Sequence, residues 1–164
     1  MQSIFRCERA NQLVWELLNG RLVQRSATTT TKPSQIQLAR EIPFDHPECG
    51  KTLLVLDGMR LRQNARGRIP LIFGNEKTVR GIVGSVLAIV VIKRVLYGQA
   101  YFVSDTQAQA IAQRWNAGEI SHDVTLEFSV NSGNHVPAGK SFRGYPGPFF
   151  VAAEWSPTAV RIQA

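Results

Sequence analysis

Cys49-Gly50-Lys51-Thr52 ends like a phosphate-binding loop. Such a loop needs a second glycine five residues earlier, so that successive backbone N–H groups can wrap the phosphates. Position 45 is aspartate and Pro47 lies inside the stretch, so the motif fails. The histidines are His46, His122 and His135. No two of them fall at i, i+4 on a helical stretch and no cysteine lies in register, so no metal site is expected. Each reads as a surface or hydrogen-bonded residue. His122 stands apart, because it lies three residues before Thr125 in Ser-His-Asp-Val-Thr. Arg60, Arg62, Arg66 and Arg68 form a cluster that could hold phosphate or a carboxylate-rich partner. The same cluster is equally a solvated turn. Few aromatics lie near it, which gives little support to base stacking on single strands.

These groups sit on a chain with many short strand signals and one helix. Asn19-Gly20 between apolar runs predicts a hairpin. Residues 26–35 contain four consecutive threonines and a proline, the composition of a linker. The domain reading is therefore an N-terminal hairpin and Thr-rich arm over 1–35 and a main domain over 36–164. Within the latter, 36–50 reads as irregular. Strands are expected at 52–56, 69–73, across 79–103, and at 123–130. Ser104 or Asp105 can cap a helix. Ala108, Ile111, Ala112 and Trp115 then form one apolar stripe, and Gly118 stops it. The helix spans about 105–117. Residues 131–148 read as a long Gly/Pro/Ser-rich loop, and 149–153 and 158–162 as two final strands. The expected fold is mainly β with α (α+β), a small closed or nearly closed β-barrel with one amphipathic helix. Strands and helices do not alternate, which argues against a parallel α/β fold.

Composition narrows the function classes. The 164 residues carry a net charge of +7 with a pI near 10.0, which favours acidic partners without choosing among them. With 44% hydrophobic residues the chain can fold without staples. Two cysteines, Cys7 and Cys49, are too few for a disulfide scaffold. Arg6, Glu8, Arg9 and Glu16 interrupt any signal-peptide order near the start. The longest apolar run, Ile82–Ile92, has eleven residues against the roughly 20 of a spanning helix. It reads as buried strand, and no membrane partner is expected.

Residues 53–128 and the closing strand resemble the prohead (capsid maturation) proteases of tailed phages, which share a barrel fold with herpesvirus assemblins. Met59-Arg60-Leu61-Arg62 leads to Pro70-Leu71-Ile72-Phe73-Gly74-Asn75-Glu76, where the family has an arginine stretch and then Pro-Leu-Leu-x-Asn-His-Asp. Val83-Gly84-Ser85-Val86 matches Ile-Gly-x-Val. Leu96-Tyr97 through Phe102-Val103-Ser104 matches the next strand, and Gly118-Glu119-Ile120 through Val124-Thr125 the helix exit. Trp155-Ser156-Pro157-Thr158-Ala159-Val160-Arg161 mirrors Trp-x-Pro-x-Glu-Val-Ser.

The resemblance places the family's catalytic His at Asn75, its nucleophilic Ser at Thr125 and its acidic residue at Ala159. All three differ. A hydroxyl needs a base within hydrogen-bond reach, and an amide is not one near neutral pH. His122, or failing it His135, is the residue that could rescue the base role. The resemblance thus implies a pseudoprotease: a phage structural protein such as a capsid decoration or cement protein, with no catalytic residues and no cofactor. Its implied partners are the major capsid protein or other virion proteins, in many copies. Its implied place is the virion, after synthesis in the host cytoplasm. Two alternatives stand beside this: an active maturation protease of serine type with a rearranged site, and a basic nucleic-acid-binding barrel, whose basic surface would meet DNA.

Overall fold

The computed structural model describes residues 13–18, 21–26, 34–61, 67–74 and 81–164. The chain divides into two compact units, Met1–Ser34 and Gln35–Ala164. In the first, β1 (Leu13–Leu18) and β2 (Arg21–Ser26) pair antiparallel, Leu18 opposite Arg21. This is the hairpin that Asn-Gly predicts, although Asn19 and Gly20 themselves lie outside the described residues.

The second unit is built around one sheet. Its strands are β3 (Ser34–Arg40), β4 (Phe44–His46), β5 (Gly50–Leu54), β6 (Ile69–Phe73), β7 (Ile82–Ile92), β8 (Val95–Phe102), β9 (Val124–Val136) and β12 (Phe149–Ile162). The order is β3-β8-β7-β6-β12-β5-β4, with β9 paired to β12. A short hairpin, β10 (Ser141–Phe142) and β11 (Tyr145–Pro146), stands outside it. The long strand β12 organises the rest. Along one edge it pairs β9 antiparallel from end to end. Along the other it takes β5 in parallel at Phe150–Ala152 and β6 in parallel at Val160–Ile162. A 3-10 turn (Leu56–Gly58) and the Met59–Trp155 bridge carry the chain between them.

The sheet is a curled half-barrel, not a closed barrel, which corrects the expected architecture. It forks at β12 instead of returning on itself, and among the described residues no strand joins β3 to the far side. The curl is nevertheless strong. Phe44 on β4 and Phe128 on β9 meet edge to face at 6.3 Å, although β5 and β12 lie between their strands.

The concave side holds the main core: Leu54, Ile69, Leu71, Val86, Leu96, Trp155, Val160 and Ile162 among others. α1 (Thr106–Asn116) lays Ala108, Ile111 and Trp115 on it. Its start and stop are as the sequence indicates. The Asp105 side chain accepts from Ala108 N at 2.9 Å, and Gly118 takes the left-handed conformation (φ +75°) that ends helices cheaply. A smaller cluster of Leu53, Val136, Phe149 and Val151 lies under Phe142 and Tyr145.

Three further expectations are corrected. Residues 36–50 hold two strands, β3 and β4. The stretch 131–148 is not one loop: its first six residues extend β9, and the β10–β11 hairpin follows. The two final strands are one. Irregularities in the β9–β12 register flank Glu154 and Pro157, and a bulge is where a strand tolerates a proline.

Candidate functional site

The stretch that looked like a phosphate loop is a tight hairpin. His46 pairs Gly50 across the β4–β5 turn, and Gly50 has φ +68°. Lys51 and Thr52 then run into a strand, whereas a phosphate loop opens a helix. His46 serves this turn: its Nδ1 accepts from Glu48 N (3.2 Å) and Cys49 N (3.1 Å).

The arginine cluster is described only in part, since Arg62 and Arg66 lie outside the described residues. Arg60 folds back on its own chain. Its Nη1 donates to Asp57 O and Met59 O, both at 3.2 Å, and its Nη2 lies 3.7 Å from Glu154. Arg68 is half-buried.

The C-terminal end of β12 gathers more. Thr125 on β9 stands opposite Arg161, and Glu127 opposite Ala159. Gly74, at the end of β6, donates its N–H to Ile162 O at 3.0 Å. So Thr125, Ala159 and the end of β6 come to one corner of the sheet. Asn75, which follows Gly74, lies outside the described residues.

Arg161 ties that corner together. Its Nε donates to Glu127 Oε1 at 2.7 Å and its Nη1 to Gly74 O at 2.5 Å. The Arg161 side chain is 11% exposed and that of Glu127 41%. One guanidinium therefore joins β12 to the strand on each side of it. The Thr125 hydroxyl accepts a hydrogen bond from Gln163 Nε2 at 2.8 Å. An amide there positions the hydroxyl but takes no proton from it.

His122 is held elsewhere. Its ring stacks on Trp115 at 4.3 Å with 24° between planes. Its Nε2 lies 2.9 Å from Trp115 O at the end of α1, a carbonyl that also accepts from Gly118 N at 3.1 Å. Among the described residues no hydrogen bond joins His122 to Thr125. His135 is exposed near the other end of β9, opposite Phe150.

Sequence reasoning names Thr125 and Ala159 but not Glu127, Arg161 and Gln163, which surround them. The available signal was a single one: an arginine between Val160 and Ile162 at the apolar end of the strand. It also missed a second polar tie. Glu41 is 3% exposed; its Oε2 accepts from Leu56 N at 3.0 Å and its Oε1 from Arg143 Nη1. That pair anchors the β10–β11 turn to the start of the 3-10 turn.

No family model, curated protein or solved structure matches the chain.

Proposed function

We propose that the protein is a non-catalytic structural protein of the prohead-protease type, a virion component such as a capsid decoration or cement protein. One observation carries the reading. At the corner where a nucleophile would need a base, Thr125 is hydrogen-bonded to the Gln163 amide, and Arg161 pairs with Glu127 beside it. The histidine nearest in sequence is engaged with Trp115. Among the described residues this chemistry braces strands and gives the hydroxyl an amide partner, which takes no proton from it.

The ordered sequence blocks from Met59 to Arg161 supply the rest of the argument, through their resemblance to proteins that recognise capsid precursor chains. A fold that already contacts shell proteins can keep that contact after losing cleavage. The net charge of +7 suits an acidic capsid surface.

The test is the amount of this chain in purified particles of the phage that encodes it. Quantitative mass spectrometry should find it intact in mature heads, at a copy number set by the capsid lattice. Presence in proheads and loss on maturation would overturn the structural role and favour the protease alternative.

A further inference from the structure

The β7–β8 hairpin carries a core-like sequence out to an exposed tip. Near-continuous apolar strands are normally covered on both faces. Here Val90, Val91 and Ile92 are 42%, 42% and 47% exposed. Their partners across the ladder fix which face each one takes. Val91 stands opposite Leu96, a fully buried core residue, so it lies on the concave side. Val90 and Ile92 stand opposite Tyr97 and Val95, on the convex side. The ribbon tip is thus apolar on both faces.

Its apex is cationic. Lys93 and Arg94 form the turn, both exposed, with φ of +49° and +62°. A two-residue turn with both residues at positive φ favours Asn-Gly. A side chain there costs about 1–2 kcal/mol per residue. The chain holds two cations where a neutral pair would fold better. Backbone outliers of this kind cluster at functional positions, and this one is held in place by Glu41 N, which donates to Arg94 O at 3.0 Å.

We infer that this tip docks into a partner protein, in a cleft with apolar walls and carboxylates at its floor. Charge and shape together select that occupant. A second copy docking tip to tip would bring like charges together. A lipid surface can meet only one face of the ribbon, or else its apex. The first leaves an apolar face uncovered and the second sinks Lys93 and Arg94 deepest. A cleft covers both faces and pairs both cations. The inference rests on the virion reading for the partner's identity, which would be a capsid protein.

The experiment is co-sedimentation of the full chain with purified heads assembled without it. The double variant Lys93→Asn/Arg94→Gly removes the charges while improving the turn, so it should raise Tm. It should weaken binding at least tenfold. Ile92→Asp, at an exposed position, should also weaken it at least tenfold. Wild-type binding should fall with salt, as a charge-paired contact does. If wild type binds and both variants bind equally well, the docking surface is elsewhere and this inference falls alone. If wild type does not bind the heads at all, the virion reading falls with it. Variant-sensitive binding to phosphatidylserine/phosphatidylcholine vesicles, without binding to heads, would assign the tip to lipid and overturn the proposal. Variant-sensitive self-association would overturn it in the same way.

Discussion

Arg161 and Glu127 face each other across the β9–β12 ladder, Nε to Oε1 at 2.7 Å, and the same guanidinium reaches Gly74 O on the far side of β12. The pair therefore fastens three strands at the corner that also holds Thr125 and Ala159. Arg161→Met keeps the length of the stem but strands Glu127 and the Gly74 carbonyl. Hydrogen bonds to charged groups contribute about 1.5–3 kcal/mol each, and half-exposed Glu127 recovers part of that from water. The net loss should be about 1–3 kcal/mol, read as a fall in denaturation midpoint. Glu127→Gln keeps a neutral acceptor and should cost less.

The two large buried tryptophans make a matched comparison. Both are 0% exposed. Trp155 Nε1 donates to Val55 O at 2.8 Å, whereas Trp115 Nε1 has no hydrogen-bond partner among the described residues. Each Trp→Phe substitution loses similar volume. Only Trp155→Phe also removes a hydrogen bond, from a carbonyl that keeps the Gly58 N–H at 3.0 Å, so it should be more destabilising by about 1 kcal/mol. Thermal melts of the two variants decide this.

Glu41 tests the second polar tie. Glu41→Ala leaves the Leu56 N–H without its acceptor and Arg143 without its buried partner. Removing one member of a buried pair costs about 3–5 kcal/mol. Arg143 is 29% exposed, which places this case toward the lower figure. Glu41→Gln retains an acceptor for Leu56 N and should recover part of the loss. Urea unfolding of both variants measures the difference.

How much of this was legible depended on whether the signal was local. The helix is legible over about 105–117, because cap, stripe and stop all lie within one stretch of chain. β6 was read at its observed bounds. β12 was split in two, because Trp155-Ser156-Pro157 looks like a break and only pairing with β9 shows that it is a bulged strand. The turn at Lys93-Arg94 carries no glycine or asparagine, so nothing in the sequence announced it. The ties are less legible still. Glu41 and Arg143 are 102 residues apart, and the Glu127–Arg161 contact depends on a register with three irregularities. Thr125 and Ala159 could be named from their sequence blocks. The contacts of Arg161, Glu127 and Gln163 around them could not.

The claim that this corner binds strands together and does not cut is tested most directly at Thr125. The purified full chain is incubated at high concentration with a fluorophosphonate that phosphonylates activated hydroxyls with loss of fluoride, and its intact mass is measured beside that of Thr125→Ala. The account predicts unmodified mass for both proteins and no cleavage of capsid precursor by either. A single adduct on wild type, mapped to Thr125 and absent from Thr125→Ala, would contradict it.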